Sequence, residues 1–211
     1  MEPNVDHLLK KISECKKCPK LEPWSKFPSN VHGNRNSSAM IVSEAPGTKS
    51  IRRGKFWRGQ AGQRIRKILT GFSFELEDIF YLTDTIKCCP PNDRTPFPDE
   101  LENCRDFLNR EIQILKPKYI VVFGKVALLY FLSNFVPKTP FIFKSMDDVQ
   151  NDNGYKIIEF GTFTLIPLLH PSRANQFMTY DIYKRHLSEV FAFIVNGKHS
   201  DYNATSGQNG V

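Results

Sequence analysis

The chain has 211 residues, of which 40% are hydrophobic and 24% are charged, a composition typical of a soluble globular protein. Its formal net charge of +7 suits a polyanionic partner. The longest apolar runs, YIVVF and VALLYFL, are too short to span a bilayer, and the first residues lack the apolar core of a signal peptide. These features predict an intracellular protein with no membrane partner, whose thiols stay reduced. The protein is expected to be a monomer.

Hydrophobic periodicity divides the chain into alternating helices and strands. Helical spacing of apolar residues is clearest at 60–72 and 98–115, whereas short apolar runs at 39–43 and 119–124 are typical of buried strands. In chain order we predict a helix at 5–14, a strand at 39–43, a helix at 60–72, a strand at 78–83, a helix at 98–115, a strand at 119–124, a helix at 125–134, a strand within 160–169 and a helix at 182–195.

This alternation predicts an α/β fold in three layers, with a four-stranded, mostly parallel sheet covered by helices on both faces. The segment 19–38 is rich in proline and turn formers and is predicted to be an ordered loop. Residues 1–197 are expected to form one domain that includes the N-terminal cysteine pair. Residues 198–211, rich in Gly, Ser and Asn, are expected to form a disordered tail.

Three polar loops follow predicted strands. They read SEAPG at 43–47, TDTIKCCPP at 83–91 and LLHPS at 168–172. Ligands of open parallel sheets bind at the carboxyl ends of the strands, so these loops are the first candidates for a functional site.

The cysteines show the spacing of a metal site. Cys15 and Cys18 form a C-x2-C pair, and Cys88 and Cys104 complete a set of four. A close pair supplies two ligands from one turn and a distant pair closes the site, an arrangement that suits zinc or an iron–sulfur cluster equally well. The fifth, Cys89, is predicted to be a small buried side chain.

Several motifs, taken together in order and spacing, resemble the uracil-DNA glycosylase superfamily, and specifically its family 4, the thermostable iron–sulfur type. They are CKKCP at 15–19, SEAPG at 43–47, GKFWRGQAG at 54–62, TDTIKCCPPNDRTP at 83–96, Cys104, FGKVAL at 123–128 and LLHPS at 168–172. The resemblance implies hydrolysis of the N-glycosidic bond of uracil, or of a related deaminated base, in DNA. It also implies a structural [4Fe–4S] cluster on the four cysteines, with zinc as the alternative.

The resemblance assigns roles in a pocket that receives a base flipped out of the duplex. Glu44 would position or activate the attacking water, and His170 would donate a hydrogen bond to O2 of the departing base. Trp57, with Phe56 as the alternative, would stack on the base. The turn that contains Ser43, Ala45 and Gly47 would offer backbone N–H groups to O2.

Two positions depart from the family pattern. Asp84 stands where the family has an asparagine that reads uracil, and Ser43 stands where it usually has glycine. A carboxylate has no donor for uracil O4, whereas a protonated carboxyl donates to O4 and accepts from N3–H. The aspartate at this position therefore does not decide which base is preferred: uracil, hypoxanthine, xanthine and cytosine are all candidates.

The expected partner is DNA that contains uracil or another deaminated base. Arg58, Ser172 and Arg173 are predicted to contact its phosphates or minor groove, within a basic cluster that also includes Arg52, Arg53, Lys55 and Arg64. Two alternatives remain at this stage: a DNA-binding relative with weak or no catalysis, and a zinc-ribbon-like nucleic-acid module.

Overall fold

A computed structural model describes residues 4–21, 26–27, 32–72, 74–135, 143, 145–172 and 178–196 of the chain. The predicted tail at 198–211, the candidate DNA contact Arg173 and parts of the predicted loop at 19–38 lie outside these residues.

The described residues form seven α-helices and seven strands in an α/β order. The helices are α1 (Val5–Glu14), α2 (Thr48–Arg52), α3 (Gln60–Leu69), α4 (Leu76–Ile79), α5 (Pro98–Leu115), α6 (Lys125–Phe135) and α7 (Tyr180–Asn196). The strands are β1 (Ala39–Ser43), β2 (Tyr81–Asp84), β3 (Tyr119–Phe123), β4 (Gln150–Asn151), β5 (Gly154–Tyr155), β6 (Ile158–Phe160) and β7 (Phe163–Leu168).

The main sheet has the strand order β2-β1-β3-β7-β6. The first four strands are parallel to one another, and β6 pairs antiparallel with β7. Strands β4 and β5 form a separate two-stranded hairpin. The carboxyl ends of β2, β1, β3 and β7 therefore lie side by side along one edge of the sheet.

Alternation along each strand sends successive side chains to two separate cores. In β1, Ile41 belongs to the core that contains α3 and α7, whereas Met40 and Val42 belong to the core that contains α5 and α6. Because side chains point alternately to the two faces of the sheet, each buried strand has apolar side chains on both faces. Helices must therefore cover both faces, which gives the three-layer arrangement. Helix α1 packs on the outside of α5.

The predicted fold class is confirmed, with a correction to the strand count. A four-stranded, mostly parallel sheet was predicted, and the observed sheet has a fifth strand, the antiparallel edge strand β6. The strand predicted at 78–83 begins three residues later, because Leu76–Ile79 form the short helix α4, whose N-terminus is capped by the Asp78 carboxylate accepting from the Glu75 N–H. Within the described ranges, no helix has the length and apolar composition needed to cross a membrane.

Candidate active site

The side chains at the carboxyl edge continue the alternation of the strands. Ser43 and Asp84 are opposite each other in the parallel register of β1 and β2. Both lie two residues beyond members of the α3–α7 core, Ile41 and Leu82, and therefore emerge on that face of the sheet. Trp57 belongs to the same core.

The turn after β1 is tied to the turn after β2. The Thr85 N–H donates to the Ser43 carbonyl at 2.8 Å, and the Ile86 N–H donates to the Glu44 carbonyl at 3.4 Å. The Thr85 hydroxyl also donates to the Glu44 carbonyl. These bonds fix the backbone at Glu44, which is half-buried.

The remaining residues of the first turn lead into α2. Ala45 and Gly47 are half-buried, and Gly47 is the N-cap of α2. The carboxylate of Asp93 accepts from the Thr48 N–H at 2.7 Å, and the Cys89 thiol lies 3.6 Å from the Thr48 hydroxyl. Cys89 is buried, as predicted, and it helps to join the two loops.

Asp84 is the most deeply buried acid of the candidate site, with 2% of its surface exposed. Its Oδ1 accepts a hydrogen bond from the Ser43 hydroxyl. Among the described residues its Oδ2 has no hydrogen-bond partner. Burial raises the pKa of Asp84 to about 7.

Trp57 takes a strained backbone conformation that a neighbouring glycine makes possible. Its φ is 56°, in the left-handed region, and a Cβ on Gly62 would lie 1.7 Å from the Trp57 carbonyl oxygen. The indole packs edge-on against Phe123 at 5.2 Å and stacks with the His170 ring at 5.9 Å and 24°. Phe56 instead stacks on Phe27 at 3.9 Å, so Trp57 is the aromatic ring that adjoins the candidate catalytic histidine.

Four buried side-chain atoms have no hydrogen-bond partner in the described part of the chain: Trp57 Nε1, Arg58 Nε, Arg66 Nε and Asp84 Oδ2. Buried polar groups are almost always hydrogen-bonded, so a polar ligand beside Asp84 would supply a partner that the described residues do not.

His170 follows β7 and is held by its own loop. Its Nδ1 lies 2.7 Å from the Ser172 hydroxyl and 3.4 Å from the Ser172 N–H. A backbone N–H only donates, so Nδ1 is an acceptor and the proton of the neutral ring lies on Nε2. The ring can therefore offer an N–H donor from Nε2.

The loop that carries His170 is anchored by residues that the sequence did not indicate. The buried Gln150 side chain accepts from the Leu169 N–H at 2.6 Å, and the Tyr183 hydroxyl donates to the Leu169 carbonyl at 3.0 Å. The Arg64 guanidinium donates to the Pro171 carbonyl at 2.7 Å. Arg64, expected from the sequence to contact DNA, thus holds the histidine loop against α3.

A buried ion pair lies on the opposite face of the same strand ends. Lys87 Nζ is 2.6 Å from Glu111 Oε2, 2.6 Å from Thr83 Oγ1 and 2.7 Å from the Asp84 carbonyl oxygen. Tyr81 donates to Glu111 at 3.0 Å. The side chains of Lys87 and Glu111 are 4% and 0% exposed, and neither was predicted to be functional.

The four predicted metal-ligating cysteines line one cavity of about 280 Å³. Cys88 and Cys104 are buried, and Cys15 and Cys18 are half-buried at its rim. Burial raises the pKa of Cys88 to about 12, and the other three thiols each influence that pKa electrostatically, which indicates a shared neighbourhood. Lys16, Lys17, Lys26 and Lys87 also line the cavity.

The donor set of this cavity fits an iron–sulfur cluster in its chemistry. In the described residues no group of three or more His, Cys, Asp or Glu side chains is arranged to hold a metal ion. A cluster binds each thiolate through a different iron, so its cysteines stand farther apart than the ligands of one zinc ion. The surrounding lysines would offset the negative charge of four thiolates.

A basic cavity of about 380 Å³ lies beside the loop that carries Trp57. Lys49, Arg52, Arg53, Arg58, Gln60 and Gln63 line it. Arg58 also approaches Glu77 at 3.6 Å, with 31% of its side chain exposed. Ser172, the other described candidate for DNA contact, is exposed at the end of the histidine loop.

Comparison with known proteins identifies the superfamily of the chain. The sequence profile of the Uracil DNA glycosylase superfamily matches residues 31–193. A type-4 uracil-DNA glycosylase of Saccharolobus solfataricus is 31% identical over 174 residues, which are 81% of this chain and 77% of that protein. The corresponding enzyme of Archaeoglobus fulgidus is 32% identical, over 63% of this chain and 65% of its own length. The type-4 enzyme of Pyrobaculum aerophilum is 37% identical, over 55% of this chain and 58% of its own length.

An α/β sheet with polar loops at its carboxyl edge is typical of a broad class of ligand-binding and catalytic proteins. The sequence matches identify the family within that class. The chain belongs to the uracil-DNA glycosylase superfamily, within its type-4 group. The family predicted from the sequence motifs is therefore confirmed.

Proposed function

We propose that the protein is a monofunctional DNA glycosylase that hydrolyses the N-glycosidic bond of uracil, or of a related deaminated base, and leaves an abasic site. What supports this proposal is that Glu44, Asp84 and His170 end or follow parallel strands at one edge of the sheet, and that the Trp57 indole stacks with the His170 ring. The names of the type-4 relatives support the same reaction class.

The N-glycosidic bond joins a sugar to a base, and the proposed reaction needs one catalytic side chain at the sugar and one at the base. Glu44 positions and activates water for attack on the sugar, whose transition state has oxocarbenium character. His170 donates from Nε2 to O2 of the leaving base, where negative charge develops. The backbone N–H groups of the turn at Ser43, Ala45 and Gly47 lie near the same oxygen in this proposal.

Base recognition in this proposal uses the remaining two side chains. The Trp57 indole contacts the face of the base, and Asp84 reads its polar edge. Oδ2 of Asp84 is buried, and the described residues offer it no partner. An exocyclic carbonyl on the base would accept a hydrogen bond from this oxygen when the carboxyl is protonated.

DNA is the proposed macromolecular partner. Four cationic side chains surround the cavity beside the Trp57 loop, and Arg58 is the one nearest in sequence to the aromatic ring. We propose that Arg58 and Ser172 contact the phosphates that flank the extruded nucleotide, together with Arg173, and that residues 1–197 act as one monomeric domain.

We infer that Cys15, Cys18, Cys88 and Cys104 hold a [4Fe–4S] cluster with a structural role. Such a cluster would connect α1, the loop after β2 and α5. Purified protein should then be brown and contain iron and acid-labile sulfide, and replacing Cys104 with serine should remove the colour. A colourless protein that contains stoichiometric zinc would instead support the zinc alternative.

The function is tested with the purified full-length protein. Single- and double-stranded oligonucleotides carrying one uracil, hypoxanthine or xanthine are incubated with it and then treated with alkali, which cuts at abasic sites. We expect strand cuts at the modified position, and none in a matched oligonucleotide with cytosine there. The His170→Ala protein, expressed and purified in parallel, controls for contaminating glycosylases from the expression host. DNA binding without abasic sites would overturn the proposal and favour a non-catalytic relative.

A further inference from the structure

Ser43 and Asp84 form a pair at the ends of two neighbouring strands. They are register partners in β1 and β2, and they are 7% and 2% exposed. The Ser43 hydroxyl donates to Oδ1 of Asp84. Oδ2 is left with no partner in the described residues, so the hydrogen bond makes the two carboxyl oxygens unequal.

The charged groups around Asp84 come from three other parts of the fold. Lys87, in the loop after β2, donates to the Asp84 carbonyl at 2.7 Å. Glu111 of α5 and Glu44 of the turn after β1 raise the Asp84 pKa, and Lys87 and the Ser43 hydroxyl lower it, while burial has the largest effect. The Cys89 thiol is also close enough to interact electrostatically with Asp84.

The hydrogen bond from Ser43 favours one position for the proton of a neutral Asp84. While Oδ1 accepts from Ser43, the carboxyl proton belongs on Oδ2. Oδ2–H is then a donor and fits an exocyclic carbonyl on the ring of a base. The ionised carboxyl has only acceptors, and it would repel that carbonyl.

We propose that Ser43 is a positioning residue that fixes the Asp84 carboxyl with Oδ2 toward the extruded base, so that the pair selects bases bearing an exocyclic carbonyl. Deamination converts an exocyclic amino group into such a carbonyl, so the substrate class is that of deaminated bases. This inference rests on the proposed glycosylase function and adds the atom that reads the substrate.

The test is a set of single-turnover pH–rate profiles on a uracil oligonucleotide. In the wild-type protein the neutral Asp84 is the productive form, because only it donates to the carbonyl. The rate should therefore be highest below the Asp84 pKa of about 7 and should fall by about tenfold per pH unit above it. In Asp84→Asn the amide donates at every pH, so this alkaline fall should disappear.

Ser43→Ala distinguishes positioning from simple packing. Loss of a hydrogen bond to the ionised carboxyl raises the Asp84 pKa, so the alkaline fall should move upward by about one pH unit. The rate below the fall should also decrease, because the carboxyl is no longer oriented. In the Ser43→Ala, Asp84→Asn double variant, the serine substitution should have no effect on the pH profile.

Ser50 provides a matched control. It is 7% exposed, like Ser43, and its hydroxyl accepts from the Arg58 N–H at 3.0 Å rather than contacting Asp84. Ser50→Ala should leave the position of the alkaline fall unchanged.

These experiments distinguish failure of the positioning role of Ser43 from failure of the proposed glycosylase function. If wild-type protein releases uracil but Ser43→Ala leaves both the fall and the plateau unchanged, the positioning role is rejected and the glycosylase function stands. If no variant produces abasic sites at any pH or with any of the deaminated bases, the proposed function itself is rejected, and the inference with it.

Discussion

Replacing His170 with alanine is expected to slow single-turnover release of uracil by about 10²–10³-fold, which corresponds to about 3–4 kcal/mol of transition-state stabilisation. The physical reason is the fixed tautomer of the ring. Ser172 directs its N–H to Nδ1 at 3.4 Å, so Nε2 carries the proton and donates to the oxygen that becomes negative. The measurement is the rate of abasic-site formation with enzyme in excess over DNA.

Two further variants separate the histidine's chemistry from its packing. His170→Asn retains an N–H donor on a shorter side chain and should recover part of the lost rate. His7→Ala, at an exposed position of α1, should retain the wild-type rate. A His170→Ala protein that binds DNA normally and releases uracil within threefold of the wild-type rate would contradict the assigned role.

The elements that the sequence predicted well are those whose pattern is local. AMIVS and YIVVF are continuous apolar runs bounded by turn residues, and they became β1 and the central strand β3. Helix α5 begins at Pro98 and ends at Leu115 as predicted, because proline suits the first helical position and Pro117 prevents continuation. The edge strand β6 was not predicted, since its three residues IEF carry no period long enough to recognise.

The candidate site was predictable where topology alone brings residues together. Parallel strands end at one edge, so the loops at 43–47, 83–91 and 168–172 were expected to meet there, and Ser43 and Asp84 are register partners. The pairing of Lys87 with Glu111 was not predicted, because a charged residue is usually exposed and the contact depends on how α5 packs. One signal was present in the sequence: Glu111 lies three residues after Leu108 and four before Leu115, within the apolar stripe of its helix.

Glu111→Gln is expected to lower the free energy of unfolding by about 3–5 kcal/mol, because it leaves the Lys87 ammonium without a counter-charge in the interior. The two side chains are 0% and 4% exposed and lie 2.6 Å apart. Chemical denaturation followed by circular dichroism measures the change. The visible absorption of any bound cluster should be recorded on the same samples, since Lys87 precedes Cys88.

Helix α5 offers a matched control for the loss of a carboxylate. Glu102 lies 2.6 Å from Arg105, but these side chains are 62% and 45% exposed. Glu102→Gln should change stability by less than about 1 kcal/mol, because solvent and salt screen an exposed pair. Equal effects of the two glutamine substitutions would contradict the importance of the buried pair.

The ion pair between Lys87 and Glu111 also contacts Asp84, the proposed base-reading residue. Lys87 donates to both the Thr83 hydroxyl and the Asp84 carbonyl, so its ammonium links Glu111 to the backbone at Asp84. Once Glu111 is neutral, the Lys87 ammonium has no counter-charge and is expected to move toward solvent, which releases that carbonyl. The Glu111→Gln protein should therefore release uracil more slowly even below its unfolding transition, while Glu102→Gln should not. Adding Lys87→Met removes the unpaired charge, so the double variant should recover stability but not the rate, because the hydrogen bond to Asp84 is still missing.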